Sequence, residues 1–156
     1  MHLNNVAALS YKWPNDVLVN EKKVSGILLE SQMGQLGLVD WVIVGVGANV
    51  SEFPSISEYP ATSLKNESVD LGIEEVLVGY SHHLKKWIST WEIYGFEPVR
   101  LAWLGRATGL GRSINVRLPQ ETLSGIFESI DETGALILVT PDGERLISAG
   151  EVYVSE

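Results

Sequence analysis

Tyr11-Lys12-Trp13-Pro14-Asn15-Asp16-Val17-Leu18-Val19 is an apolar run broken by a proline bend. Proline removes a ladder hydrogen bond and holds the residue before it extended. Tyr11 to Val19 therefore reads as a strand, with Val17, Leu18 and Val19 following the Pro14-Asn15-Asp16 break. Working outward, Asn20-Glu21-Lys22 is a tight connection, and Lys23 to Ser31, with Val24, Ile27, Leu28 and Leu29, is a second strand. Gly34 to Asp40 is a polar loop. Trp41 to Val50 is a third strand with apolar residues on both faces, the pattern of a strand near a sheet centre. Three such strands in succession predict antiparallel hairpins.

Beyond them, Ser51 to Ser68 contains Pro54, Pro60 and several serines and reads as a surface loop. Leu77, Tyr80, Leu84, Trp87, Ile88 and Trp91 recur at spacings of three and four, predicting an amphipathic helix over Glu74 to Trp91. The tryptophans at 87 and 91 are most simply core. A second helix starts at Pro98, a favoured first-turn residue. Gly105, Gly109 and Gly111 then break the chain. Ser113 to Leu118, Thr122 to Ile130, Ala135 to Thr140, Arg145 to Ser148 and Glu151 to Val154 are short strands separated by turn chemistry such as Pro141-Asp142-Gly143. Closely spaced strands of this kind form a small barrel. The fold class is α+β: a mixed or antiparallel sheet with packed helices over residues 1–110, then a small β-barrel over 111–156.

The chain has 156 residues, 45% of them hydrophobic, enough for a real core. Its formal net charge of -9 disfavours nucleic acid and anionic lipid as partners. It has no cysteines, which removes disulfides and thiolate metal sites and fits a reducing compartment. The strongly apolar stretch from Trp41 to Val50 has ten residues, too few to span a bilayer. Met1-His2-Leu3-Asn4-Asn5 lacks the basic and apolar regions of a signal peptide. The expectation is a cytoplasmic protein with no membrane partner.

Three short segments could carry chemistry. In Lys12 to Asp16, the bend lets a carboxylate face a ligand or metal, although Asn-Asp after proline is by itself usually a turn. In Lys23-Val24-Ser25-Gly26-Ile27-Leu28, Gly26 and Leu28 share a face by the two-residue period. A strand glycine marks a place where a ligand or another backbone comes close. Lys23 has the other parity and would reach such a site from the start of the strand, or lie on the surface at a hairpin end. In Gly45-Val46-Gly47-Ala48-Asn49, two bare backbone positions let a flat ligand lie on the strand, and the Asn49 amide offers a donor and an acceptor. This is no dinucleotide fingerprint, because Val50 stands where the third glycine would be and a proline-containing loop follows. His82-His83 lies on a helix where adjacent residues do not share a face, which disfavours a metal site.

In this order and spacing, the three segments resemble the biotin protein ligases, a likeness that continues through the helices to Ala149-Gly150-Glu151-Val152 and covers the chain from about Ala7. The resemblance implies a partial class II synthetase-like catalytic core followed by an SH3-like barrel. It implies an enzyme in which biotin's carboxylate attacks the α-phosphate of ATP, in the presence of Mg2+, to give biotinyl-AMP. A lysine of a biotin carboxyl carrier protein then takes the biotinyl group. By position, Lys23 matches the catalytic lysine, which also contacts biotin, and Gly26, Leu28, Gly45 and Val46 match positions beside the biotin chain. Asn15 and Asp16 match residues near the phosphates, Asp16 being the candidate Mg2+ ligand. Asn49 matches the adenine contact, and Lys12 adds phosphate neutralisation.

Members of that family also carry, before the Lys-Trp-Pro-Asn-Asp segment, a Gly-Arg-Gly-Arg-type loop and the residues that grip the biotin ureido ring. Met1 to Tyr11 supplies neither. The expectation is a truncated reading frame or one half of a split protein, forming a homodimer or associating with a separate N-terminal half. Two other readings stand beside the ligase: a lipoate ligase, similar in core architecture, and a non-catalytic binding module derived from a ligase.

Overall fold

The structure is a computed structural model that describes residues 9–55 and 59–154. Expectations that fall on residues 1–8, and on 56–58 of the proline-containing loop, lie outside the described residues. Two compact units form, which among the described residues are residue 9 with 15–55 and 59–72, and 10–14 with 73–154. Each is described by itself.

The first unit is an antiparallel ladder of β2 (Asp16–Val19), β3 (Lys22–Met33) and β4 (Val39–Ala48). Its first hairpin closes through two residues, with Val19 opposite Lys22. Both turn residues are left-handed, Asn20 at φ 50° and Glu21 at φ 63°. That is the turn whose twist matches the strands, and asparagine adopts it readily. β3 and β4 then pair from Ser25 opposite Ala48 to Gln32 opposite Trp41. A short 3-10 turn at Gln35–Gly37 connects them, with Gly37 at φ 73°.

Contrary to the expectation for a strand near a sheet centre, β4 ends the strand order and is exposed along its whole length. Its apolar residues on both faces imply two covers, and the described residues of its own unit provide neither.

The second unit contains β1 (Leu9–Lys12) from Ser10 onward, α1 (Ile73–Tyr94), α2 (Glu97–Leu104), β5 (Ser113–Arg117), β6 (Thr122–Ile130), β7 (Leu136–Thr140), β8 (Gly143–Ile147) and β9 (Glu151–Val154). The five C-terminal strands form an antiparallel sheet in the order β8-β7-β6-β5-β9. Its core gathers Ile114, Val116, Phe127, Leu136, Leu138 and Val152, all fully buried. Burying each such side chain contributes about 1.5–3 kcal/mol. Trp13 joins this core, and its indole N–H donates to the Gly134 carbonyl at 3.1 Å. β1 is held by the Tyr11 amide to Arg106 and by the Thr108 amide to Tyr11, both 2.8 Å.

Both helices form where the periodicity places them, with Pro98 in the first turn of α2. α1, however, buries none of its residues. Trp87 is 41% and Trp91 59% exposed, so they are not core within this unit. Among the described residues, no helix is long and apolar enough to cross a membrane.

Candidate functional site

The pairing of β2 with β3 decides where Lys23 points. Asp16 lies opposite Gly26 and Val17 opposite Ser25, but Leu18 lies opposite Lys23. The register slips by one, leaving Val24 as the extra residue of a β-bulge. Residues opposite each other across a ladder share a face, and Asp16 and Leu18 share one by the period of two. Their partners Gly26 and Lys23 therefore share it too. The bulge turns Lys23 onto the Asp16 side, and Lys23 Nζ reaches Asp16 Oδ1 at 2.5 Å.

Gly26 lies directly beneath this ion pair. A Cβ there would sit 3.1 Å from both Cε and Nζ of Lys23 and 3.5 Å from Asp16 Oδ1. The Asp16 side chain is only 8% exposed, while Lys23 is 39% exposed. Water screens such a pair, so it contributes roughly 0–1 kcal/mol to stability. Its consequence is a cation held at a fixed place on a bare backbone face.

The face extends onto β4, where Gly47 is opposite Gly26 and Gly45 opposite Leu28. A Cβ on Gly45 would come to 3.5 Å from the Leu28 carbonyl, and one on Gly47 to 3.9 Å from the Gly26 carbonyl, both ordinary contacts. Packing requires neither glycine, and together they keep the face flat beside the exposed Leu28 side chain. Val46 lies opposite Ile27, on the other face.

The two asparagines hold main chain. Asn15 Nδ2 donates to the Ile27 carbonyl at 2.5 Å, and the Ile27 amide returns a bond to the Asn15 carbonyl at 3.0 Å. Asn49 Nδ2 donates to the carbonyls of Thr62, at 2.9 Å, and Lys23, at 3.4 Å. Lys12 lies at the end of β1 in the second unit, 7% exposed.

Sequence reasoning missed the segment that holds Lys23 from behind. The Lys23 amide donates to the Pro60 carbonyl at 2.8 Å, and the Thr62 amide donates to the Lys23 carbonyl at 2.9 Å. Behind Thr62, Glu67 accepts the Thr62 hydroxyl at 2.7 Å and Asn20 Nδ2 at 2.6 Å, with Lys22 Nζ at 3.7 Å. The Thr62 hydroxyl first, then Asn20, hold the Glu67 carboxyl below its ordinary value, against the opposing effect of burial. Nothing local in the sequence links residue 67 to residue 20; only the folded hairpin does.

A cation beside a carboxylate, on a face of bare backbone, can hold an oxyanion and orient a flat or extended ligand. Among the described residues, no group of three or more His, Asp or Glu could hold a metal ion. His82 and His83 meet edge to face on α1 with ring centroids 5.4 Å apart.

The chain matches the model of the biotin/lipoate A/B protein ligase family over residues 5–105 and that of the biotin protein ligase C terminal domain over residues 109–155. It is 42% identical over 153 residues to a biotin–acetyl-CoA-carboxylase ligase of Paracoccus denitrificans, covering 94% of this chain and 63% of that protein. It is 33% identical over 150 residues to the bifunctional ligase/repressor BirA of Bacillus spizizenii, covering 90% of this chain and 45% of that one. The biotin protein ligase of Aquifex aeolicus, solved in complex with biotin and ATP, superposes with a TM-score of 0.75 at 27% identity, covering 95% of this chain and 62% of that one. This chain thus spans about half to two thirds of the proteins it matches.

Proposed function

The chain belongs to the biotin/lipoate A/B protein ligase family, and we propose that it carries the adenylating face of an ATP-dependent biotin protein ligase. The observation that carries this reading is the Lys23–Asp16 pair lying on the glycine face of β3 and β4.

In the proposed reaction, a carboxylate oxygen of biotin attacks the α-phosphorus of ATP. The bond to the β-phosphate oxygen breaks, and biotinyl-AMP and pyrophosphate form. The amine of an acceptor lysine, on a biotin carboxyl carrier domain, then attacks the biotinyl carbonyl and AMP leaves. The first step brings an anion onto a polyanion, and a cation between them lowers its barrier. Lys23 is the catalytic residue in that role, contacting both the biotin carboxylate and the α-phosphate. Gly26, Leu28 and Gly45 flank the biotin chain, and Val46 borders it through its main chain. Asn15 serves the phosphates, a role that the family resemblance by itself also gives Lys12. Asn49 meets adenine through its amide oxygen, since its N–H groups are engaged by Thr62 and Lys23.

Mg2+ is commonly bound by one or two carboxylates, with phosphate and water oxygens completing its shell. Asp16 provides one such carboxylate beside the proposed phosphate position, so the residues fit. The ion would supply neutralisation of phosphate charge.

Residues 1–110 are assigned as part of the catalytic domain and 111–156 as the C-terminal SH3-like domain, a division that the two matched families support. We place the enzyme in the cytoplasm. The exposed apolar β4 favours either a homodimer or association with a separate N-terminal half. The same exposure favours a second reading, a non-catalytic binding module. Pyrophosphate release separates them: the ligase reading expects release that needs both biotin and ATP and that lipoate does not support. Release equal with lipoate would point to the sister chemistry, and no release with either to the binding module.

A further inference from the structure

We propose that Glu67 is a positioning residue for Lys23, locking the β2–β3 hairpin tip against the segment that grips the Lys23 main chain. The proposal builds on the adenylation reading but stands on its own geometry.

Lys23 sits between the bulge at Val24 and a hairpin turn with two left-handed residues, Asn20 and Glu21, with only Lys22 separating it from that turn. Such a junction has two ways to relax: the hairpin tip can swing, or the 60–62 segment can lift away. Glu67 restrains both. Its Oε2 takes the Asn20 side chain at 2.6 Å, fixing the tip, and its Oε1 takes the Thr62 hydroxyl at 2.7 Å, fixing the segment. Thr62 in turn donates its amide to the Lys23 carbonyl and its carbonyl accepts Asn49 Nδ2. Asn66 Nδ2 adds a bond to the Thr62 hydroxyl at 3.0 Å. One carboxylate, 8% exposed, thus bridges the hairpin tip at Asn20 and the segment at Thr62. Through Asn20 and Thr62 it acts on the backbone on which Lys23 is mounted. Two oxygens serve two different segments, whereas a neutral amide has one acceptor oxygen, so with that oxygen on Asn20 the Thr62 hydroxyl would have to turn from donor to acceptor.

The test uses the full chain and its Glu67→Gln, Glu67→Ala and Glu67→Asp variants. The first readout is independent of ligase activity. Each lysine is acetylated with a small reagent, and modification rates are read residue by residue by mass spectrometry. The rate at Lys23, taken as a ratio to Lys65, should rise several-fold in Glu67→Ala and Glu67→Gln, as the Lys23–Asp16 pair loosens. Melting temperature is recorded alongside. The second readout is biotin-dependent pyrophosphate release, where kcat should fall at least about tenfold with KM for biotin little changed, within the roughly hundredfold cost of a 1 Å misplacement. Glu67→Asp, which keeps both acceptor oxygens, should recover part of both effects.

An unchanged Lys23-to-Lys65 ratio in Glu67→Ala, whatever the fall in melting temperature, would overturn the proposal and leave Glu67 a stabilising residue only. If the parent chain releases no pyrophosphate, the adenylation reading fails for this chain, while the acetylation ratio still decides the role of Glu67.

Discussion

A single side chain's position here depends on one extra residue in one strand. Counted along β3, Lys23 and Gly26 fall on opposite faces, so the period of two leaves Lys23 either to reach the site from the strand's start or to lie on the surface at the hairpin end. The bulge at Val24 resolves this by pairing Lys23 with Leu18, on the face of Asp16. Glycine at 26 then leaves room for the ion pair. Gly26→Ala should move the lysine tip by a few tenths of an ångström, since the Cβ would lie 3.1 Å from Lys23 Cε and Nζ. Its expected outcome is a melting temperature close to the parent's with pyrophosphate release reduced about tenfold, an effect of misplacement rather than unfolding. Glu67 supplies a pH signature at the same scale. Its folded-state value is lowered, so its stabilisation is present above the ordinary carboxylate value and is lost as pH falls through the lowered one. The melting-temperature gap between parent and Glu67→Gln should therefore be widest at neutral pH and shrink as pH falls below the ordinary carboxylate value. Gly26 and Lys23 stand out in the sequence because their motif spacing is specific, and the structure brings them together with Asp16. Glu67 does not stand out, because its partners Asn20 and Thr62 come from other parts of the chain.

Strands and helices were largely legible as elements, and less so in their surroundings. β5 to β9 form where alternating apolar residues and turn dipeptides place them, and alternate inward positions fill one core. Gly125 is a close-approach position that no turn signal marks. A Cβ there would meet the Val139 carbonyl at 2.5 Å and Leu138 Cγ at 2.9 Å. Gly125→Ala should destabilise the C-terminal sheet by about 1–3 kcal/mol, as overpacking does, and Phe127→Ala by about 3–5 kcal/mol. Urea unfolding followed by circular dichroism would read both. β4 and α1 were read correctly as strand and helix, but not in their burial. Periodicity reports which residues want a cover, not whether the same unit supplies it, and Trp41, Trp87 and Trp91 all remain exposed.

For the whole molecule, the uncovered apolar strand has a consequence in solution. Val42, Ile43 and Val44 are each exposed along an edge of the β2–β4 ladder, a surface that pairs readily with another chain. Sedimentation velocity should show concentration-dependent association of the parent, weakened by Val42→Lys together with Val44→Lys; a parent that stays monomeric at high concentration would remove the basis for this. Composition and charge bounded the class of protein but located nothing. The order of three short motifs pointed to a candidate site, and the bulge explains why Lys23, Asp16 and Gly26 share one face. The central claim is that biotinyl-adenylate lies on the Lys23–Asp16–Gly26 face. The most direct measurement is calorimetric titration of a non-hydrolysable biotinyl-adenylate analogue into the parent, Lys23→Ala and Leu29→Ser, which lies on the opposite face of β3. The account predicts binding to the parent and to Leu29→Ser with similar affinity, and binding weakened at least about tenfold, or roughly 1.4 kcal/mol, in Lys23→Ala. Equal affinity for the parent and Lys23→Ala, or a loss confined to Leu29→Ser, would contradict it.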